Sequence, residues 1–235
     1  MSIEVANLSK IYGAQIAVNS ISFQASEGQI IGFLGPNGAG KSSTIKMLVG
    51  LIPASEGEAK VLGLNVKDHN LELKRKVGYL AENNPLYPDM YVQEFLDFIG
   101  KIHGISSSQR KKRIEEVIQL VGLEKEKKKK ISELSKGYQQ RVGLAQAIFH
   151  NPSVLILDEP TSGLDPNQMA EIRSLIQSLS QGKTILFSSH LLTEVESICD
   201  RILLISHGNL VADCSLQEAQ NYTGGLAAFF KDKTT

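Results

Sequence analysis

The sequence predicts an α/β fold in which helices pack on a mainly parallel sheet. Apolar runs at residues 29–34 and 153–157 are typical of strands buried in the centre of such a sheet. Further strand patterns recur near residues 183–188, 201–206 and 209–213, and helical periodicity separates several of the strands. Strands that alternate with helices along a chain indicate a layered α/β architecture.

The first 35 residues are expected to form strands. Residues 15–24 place apolar side chains in a loosely alternating, β-branched pattern, namely Ile16, Val18, Ile21 and Phe23. Residues 36–40 contain too much glycine and proline for a regular element, and a helix is expected after Lys41. Gly50 suits the end of that helix, because glycine readily adopts the left-handed conformation found there.

The middle of the chain is expected to be helical. Residues 91–149 carry helical periodicity with almost no strand pattern. Four apolar side chains at i, i+3, i+4 and i+7 form one stripe on a charged helix: Ile114, Val117, Ile118 and Val121. We interpret residues 85–150 as a helical insertion in a core formed by residues 1–84 and 151–235. The lysines at 127–130 are expected to lie in a solvated loop, with a membrane-facing patch as the alternative.

Another helix is expected after the strand at residues 153–157. Asp165 suits its N-cap and Pro166 its first helical position. The predicted buried face comprises Ile172, Leu175, Ile176 and Leu179.

Composition and charge exclude several classes of protein. The 235 residues include 25 Lys+Arg and 25 Asp+Glu, with 42% hydrophobic and 21% charged residues, which is a globular profile. Zero net charge argues against a disordered tail and against a chain whose main task is to bind nucleic-acid phosphates. No apolar run approaches the roughly 20 residues that span a bilayer, and the first residues lack the features of a signal peptide. Cys199 and Cys214 show no disulfide framework, which indicates a reducing cytoplasm. Without a membrane span, we expect the protein to be soluble when isolated.

A phosphate-binding loop is predicted between the strand at residues 29–34 and the helix after it. The pattern is met by Gly35-Pro36-Asn37-Gly38-Ala39-Gly40-Lys41-Ser42, and Ser43 extends the nucleotide-binding set. Its glycines let backbone N–H groups point at phosphate oxygens, and the following helix adds the positive end of its dipole. Lys41 can reach the β- and γ-phosphates, and the Ser42 hydroxyl can bind magnesium. A chance match in a glycine-rich turn is the alternative, which the flanking strand and helix disfavour.

Two acidic residues, Asp158 and Glu159, follow the strand at residues 153–157. Ligands of open α/β sheets bind at the C-terminal ends of the strands. We therefore expect Asp158 to hold magnesium through water and Glu159 to position or deprotonate the attacking water. A pair of ordinary surface acids is the alternative.

Further motifs resemble those of ABC-transporter ATP-binding subunits. One segment resembles the signature motif of that family: Leu134-Ser135-Lys136-Gly137-Tyr138-Gln139-Gln140-Arg141. It precedes Glu159 at the spacing found in the family. Ser162-Gly163-Leu164-Asp165 resembles the D-loop of that family, and His190 resembles its switch histidine. Tyr12 resembles the aromatic residue that stacks on adenine. The resemblance runs from about residue 2 to residue 215. It implies a phosphate-loop NTPase core with a mainly parallel sheet, an N-terminal antiparallel β subdomain and an inserted α-helical subdomain.

The resemblance also implies roles for these residues. Ser135, at the start of a helix, would direct N–H groups at the γ-phosphate of an ATP held by a second subunit. His190 would contact the γ-phosphate and Tyr12 would stack on adenine. The alternatives are a capped helix, a structural histidine and a packed tyrosine.

The chain departs from the family pattern in the signature motif and at the Q-loop. Lys136 and Tyr138 stand where a glycine and a glutamine are usual, but Ser135 and Gly137 remain, so we expect the phosphate contact to persist. Glu82 stands where most relatives have the Q-loop glutamine, which touches magnesium and leads into the surface that docks on the membrane partner. Both departures resemble the branch of multidrug-type and gliding-type exporters.

These features predict a subunit that binds ATP and Mg²⁺ and hydrolyses ATP to power a separate integral membrane permease, with export as the favoured direction. It would form a homodimer or heterodimer of ATPase subunits around two ATP molecules, at the cytoplasmic face of the cell membrane and without a nucleic-acid partner.

Two other classes of function remain as alternatives. An ABC-type ATPase that acts on DNA or ribosomes usually has paired cassettes or long coiled coils, for which 235 residues leave no room. A phosphate-loop kinase would need an acceptor site and would have no use for the signature motif or the switch histidine.

Overall fold

Two β-sheets form the framework of the computed structural model, which describes residues 1–234. The strands are β1 Ile3–Tyr12, β2 Gln15–Ala25, β3 Ile30–Leu34, β4 Glu56–Val61, β5 Leu64–Asn65, β6 Val77–Leu80, β7 Val154–Asp158, β8 Thr184–Ser189, β9 Arg201–Ser206 and β10 Asn209–Ser215. The smaller sheet has the order β2-β1-β4-β5, and the larger has the order β10-β9-β3-β8-β7-β6.

The larger sheet is parallel except at one edge. Strands β6, β7, β8, β3 and β9 run parallel, and β10 pairs antiparallel with β9. Alternate residues of β7 enter two different hydrophobic clusters, with Ile156 in one and Leu155 and Leu157 in the other. This arrangement confirms the predicted buried, mainly parallel sheet. The parallel order also brings the loops that follow β3, β7 and β8 together at the C-terminal ends of the strands.

The smaller sheet is antiparallel throughout. Strand β1 pairs antiparallel with β2 and β4, and β4 pairs antiparallel with β5. Its residues Ile3, Val5 and Leu8 are buried in the same cluster as Ile45 of the helix that follows the phosphate loop. The expected N-terminal antiparallel β region is therefore confirmed.

Helices surround the two sheets. They are α1 Lys41–Leu48, α2 Asn70–Lys76, α3 Val92–Ile102, α4 Ser107–Leu120, α5 Lys136–Ile148, α6 Pro166–Leu179, α7 Leu192–Ile198, α8 Leu216–Gln220 and α9 Gly225–Thr234, with a 3-10 helix at Ile131–Glu133. The predicted N-cap is correct, because the Asp165 side chain accepts hydrogen bonds from the N–H groups of Asn167 and Gln168, both at 3.0 Å. Gly50 follows α1 with a φ of +67°, as expected for the end of a helix.

Helices α3, α4 and α5 occupy most of the chain between β6 and β7. The predicted stripe of α4 is buried and packs in one cluster with Leu144 of α5. Lysines 127–130 follow α4 in surface turns, where Lys127 lies 2.9 Å from Glu115 and Lys129 lies 2.7 Å from Glu126. The division into a core and an insertion at residues 85 and 150 remains an interpretation.

Strand β6 is the element absent from the sequence prediction that matters most for the site. It has only four residues, and one of them is Gly78, so its apolar pattern is weak. Because β6 pairs in parallel with β7, the chain just beyond Leu80 lies beside the end of β7. Glu82, two residues beyond Leu80, and Asp158 at the end of β7 both act electrostatically on Tyr79 of β6.

No helix within residues 1–234 is both long enough and apolar enough to cross a membrane.

Two stacked histidines connect the ends of α3 and α5. The rings of His103 and His150 lie 4.0 Å apart and are nearly parallel. Burial, assisted by His103, lowers the pKa of His150 from its ordinary 6.5 to about 4. Burial also lowers the pKa of His103. The folded protein therefore binds fewer protons here than the unfolded chain does in mildly acidic solution.

We expect the free energy of unfolding to fall as the pH drops from 6.5 towards about 4, because protonation of His150 favours the unfolded chain. The free energy of unfolding should fall by about 1–3 kcal/mol, because the lowered pKa of the partly exposed His150 implies a change of this size. Urea unfolding at neutral and at mildly acidic pH measures it. His150→Phe should lose this part of the pH dependence, whereas His69→Gln, at an exposed position, should keep it. An unchanged pH dependence in His150→Phe would contradict the expectation.

Candidate nucleotide-binding site

A cavity of about 510 Å³ opens beside the phosphate loop. The predicted site residues that line it are Tyr12, Asn37, Gly38, Ala39, Gly40, Lys41, Ser42, Ser43, Glu82, Glu159, Ser162 and His190. These residues come from the end of β1, the loop before α1, the first turn of α1, and the loops after β6, β7 and β8. Segments far apart in the sequence thus meet in one place.

The loop between β3 and α1 has a backbone that requires glycine. Gly38 has a φ of +78° and Gly40 a φ of +110°, and a Cβ at Gly40 would collide with the Ala17 carbonyl oxygen. Helix α1 then begins without a side-chain cap and without an acidic residue in its first turn. The N–H groups of that turn are therefore available to an anion.

Lys41 extends back over this loop. Its ammonium group donates hydrogen bonds to the carbonyl oxygens of Gly35 at 2.7 Å and Pro36 at 3.3 Å. It also lies 3.5 Å from Oε1 of Glu159. Gly35 and Pro36 do not line the cavity, and they hold the lysine that does.

Asp158 ends β7 and is almost fully buried, at 1% exposure. Its Oδ1 accepts hydrogen bonds from Ser188 Oγ at 2.6 Å and from Ser42 Oγ at 3.4 Å. Burial, together with the charges of Asp158 and Glu82, raises the pKa of nearby Tyr79 to about 12. The carboxylates of Asp158 and Glu82 thus both lie near Tyr79, beyond the C-terminal ends of β6 and β7.

Glu159 adopts an unusual backbone conformation directly after β7. Its φ is +48°, which is rare for a residue with a long side chain, and its N–H donates to Ser188 Oγ at 2.9 Å. The side chain is buried, with Oε2 2.8 Å from Nδ1 of His190. Because an ionised carboxylate can only accept, the Nδ1–H of His190 donates this hydrogen bond. The carboxylate is thus held between His190 and Lys41.

The signature residues lie outside the phosphate-loop cavity, although Lys136 lines a neighbouring cavity together with Glu82 and Ser162. Ser135 is the N-cap residue of α5, but its side chain makes no capping hydrogen bond. With Gly137 and Tyr138 it lines a second cavity of about 200 Å³, which shares no residue with the cavity at the phosphate loop. Leu134 is buried, and the side chain of Lys136 extends to Gly163. The structure therefore does not bring Ser135, Gly137 or Tyr138 to the phosphate loop of the same chain.

Of the predicted D-loop residues, Ser162 alone lines the phosphate-loop cavity. Gly163 has a φ of +71°, Leu164 packs at the edge of the core, and the Asp165 carboxylate caps α6. The capping bonds give Asp165 a structural role in this chain.

The sequence analysis missed buried polar residues that hydrogen-bond to the loops of the site. Gln140 is buried and its Nε2 donates to the Pro160 carbonyl oxygen at 2.6 Å, which ties α5 to the Glu159 loop. Glu194 is buried in α7 and binds hydroxyl groups of the loops that carry Glu159 and His190. A sequence signal for Glu194 was available: it lies at a buried position of α7, whose other buried residues, Val195 and Ile198, are apolar.

Comparisons with known proteins agree with this geometry. A family model described as ABC transporter matches residues 18–162. The bacitracin transport ATP-binding protein BcrA of Bacillus licheniformis is 41% identical over 213 residues, which cover 90% of this chain and 69% of BcrA. The linearmycin resistance ATP-binding protein LnrL of Bacillus subtilis is 39% identical over 211 residues, which cover 89% of this chain and 68% of LnrL. The chain thus spans about two thirds of the length of these relatives.

Solved structures show the same fold. One described as an ATP binding subunit of an ABC transporter has a TM-score of 0.89 at 28% identity, with 100% of both chains covered. A dimeric ATP-binding cassette in a post-hydrolysis state with ADP and Pi has a TM-score of 0.84 at 25% identity, with 91% of this chain and 98% of that chain covered. Since the matched family segment contains both the phosphate loop and the acidic end of β7, this chain belongs to the ABC transporter family as an ATP-binding subunit that hydrolyses ATP.

Proposed function

We propose that this subunit closes head-to-tail with a second ATPase subunit around two ATP molecules. The observation that carries the proposal is the separation of the two predicted phosphate-binding surfaces. Glu159, His190 and the phosphate loop share one cavity, whereas Ser135 opens on another. A γ-phosphate on the phosphate loop can therefore meet Ser135 only if a second subunit supplies it.

The phosphate loop is proposed to bind the triphosphate. N–H groups of the first turn of α1 would donate hydrogen bonds to the phosphate oxygens, and Lys41 would turn from Glu159 towards the added negative charge. Tyr12 is about half exposed at the rim and offers a free face on which adenine can stack. Lys10 lies 5.1 Å from the centre of the same ring and would hold the tyrosine in place.

The oxygen atoms at the end of β7 fit a magnesium ion. Magnesium prefers oxygen ligands and binds through one or two carboxylates together with substrate phosphates. Ser42 and Asp158 already lie within hydrogen-bonding distance, and Glu82 lines the same cavity as Ser42. No group of three or more His, Cys, Asp or Glu that could hold a metal exists within residues 1–234, so phosphate oxygens and water would complete the ligand set. The ion would neutralise charge on the phosphates.

Glu159 is proposed to orient the attacking water and to accept its proton. Its hydrogen bond to His190 Nδ1 fixes the direction of the carboxylate. His190 lines the same cavity and is proposed to contact the γ-phosphate. Lys41 and the N-terminus of the partner's α5 would stabilise the charge that develops in the transition state.

The motion of such a dimer would drive a separate integral membrane permease, at the cytoplasmic face of the membrane. Export is the proposed direction, for two reasons. Two relatives are named for linearmycin resistance and bacitracin transport, and Glu82 at the Q-loop position resembles exporters of the multidrug type.

Purification of the chain from its own membranes in mild detergent tests this partner. An integral membrane protein should co-purify at a fixed ratio. Co-purifying ribosomes or DNA would instead support the second class of ABC ATPase, and a chain that is released from membranes alone would contradict the proposal.

The proposed role of Glu82 gives a separate prediction. Its carboxylate should attract the metal more strongly than an amide does, because two unit charges about 4 Å apart interact by about 4 kcal/mol at an effective dielectric of roughly 20. Glu82→Gln should therefore raise the magnesium concentration needed for half-maximal ATPase activity. Nucleotide binding without metal should be unchanged or slightly tighter.

Magnesium titrations of both proteins provide the measurement, with Glu124→Gln at an exposed position as the matched control. Superimposable curves for wild type and Glu82→Gln would show that Glu82 is not a ligand.

A further inference from the structure

Glu194 is a buried carboxylate that connects two loops of the active site. It lies in α7 with 1% exposure. Its Oε1 accepts a hydrogen bond from Thr161 Oγ1, and its Oε2 accepts one from Ser189 Oγ at 2.5 Å. Thr161 lies two residues after Glu159, and Ser189 immediately precedes His190.

The contacts of Ser189 extend to the other side of His190. Its Oγ accepts a hydrogen bond from the N–H of Leu191 at 2.9 Å while it donates to Glu194. The backbone on both sides of His190 is therefore fixed through one hydroxyl group. On the other loop, the Thr161 carbonyl oxygen accepts from the N–H of Leu164, so the same carboxylate also anchors the segment that contains Ser162.

We propose that Glu194 is a positioning residue that holds Glu159 and His190 at the relative positions that ATP hydrolysis requires. A buried carboxylate that binds only neutral hydroxyl groups is costly to desolvate, and replacement by an apolar residue would avoid that cost. Its two oxygens each accept from one loop, whereas a glutamine at this position would offer one acceptor oxygen and one NH₂ donor. The 2.8 Å contact between Glu159 Oε2 and His190 Nδ1 is the geometry that this connection maintains.

This inference rests on the proposed role of Glu159, and the experiment separates the two. Thr161→Val is nearly isosteric and removes one of the two hydroxyl donors, whereas Thr161→Ser retains it. Thr161→Val and Glu194→Gln should each lower kcat by about 10- to 100-fold, because small displacements of catalytic groups have effects of this size. ATP affinity, measured with a fluorescent ATP analogue, should stay at the wild-type value. Thr161→Ser should recover most of the lost kcat.

Controls distinguish positioning from stability. Glu196→Gln changes an exposed acid on the same helix and should leave kcat unchanged. If Glu194→Gln does not fold, Ser189→Ala replaces it as the variant that removes the second donor.

Three results would overturn the inference: wild-type kcat in Thr161→Val, equal losses in Thr161→Val and Thr161→Ser, or a loss of ATP affinity that matches the loss of kcat. Wild-type hydrolysis by Glu159→Gln would instead contradict the proposed function itself.

Discussion

Replacement of Lys41 by alanine is expected to abolish tight ATP binding. The change removes a buried ammonium group that the carbonyl oxygens of Gly35 and Pro36 hold over the loop, and with it a charge-assisted contact to phosphate. We expect affinity to fall by about 100-fold or more, since loss of a charged partner in a desolvated site costs several kcal/mol. Titration with a fluorescent ATP analogue measures the change.

Lys46→Ala is the matched control, because Lys46 lies on the same helix but is exposed. Its affinity should equal that of the wild type. If Lys41→Ala also bound ATP as tightly as the wild type, the assignment of the phosphate loop would be wrong.

Replacement of Glu159 by glutamine should leave ATP binding intact and nearly stop hydrolysis. The amide has almost the same shape and can still accept the hydrogen bond from His190 through its oxygen, but it is a poor base. We expect kcat to fall by about 10²- to 10⁴-fold, the usual range for removal of a general base. Phosphate release and nucleotide affinity, measured on the same preparation, separate the two effects.

Glu27→Gln, at an exposed turn remote in sequence from the site, should behave as the wild type. A Glu159→Gln protein that hydrolyses ATP at the wild-type rate would remove Glu159 from the catalytic role.

The parts of the fold that local patterns specify could be predicted from the sequence. The central strands are continuous apolar runs, and the stripe of α4 and the cap of α6 follow from side-chain spacing within one element. Strand β6 could not be predicted in the same way, because four residues that include a glycine gain their conformation from pairing with β7.

In the candidate site, too, local features could be predicted from the sequence and contacts between distant residues could not. The phosphate loop is local, so its motif could be predicted from consecutive residues. The contact between Glu159 and His190 joins residues 31 positions apart, and the bond between Thr161 and Glu194 joins residues 33 positions apart. Such pairs depend on the parallel order of β7 and β8, which no short motif encodes. The proposed contact of Ser135 requires a second subunit.

The mass of the Glu159→Gln protein in the presence of ATP and magnesium tests the central proposal most directly. Slow hydrolysis should trap the closed state, so light scattering should give twice the mass found without nucleotide. Adding Ser135→Arg should keep ATP binding at the phosphate loop but restore the single mass, because the exposed Ser135 would lie at the interface. A doubly substituted protein that dimerises as well as Glu159→Gln alone, or one that loses ATP binding while monomeric, would contradict a site shared between two subunits.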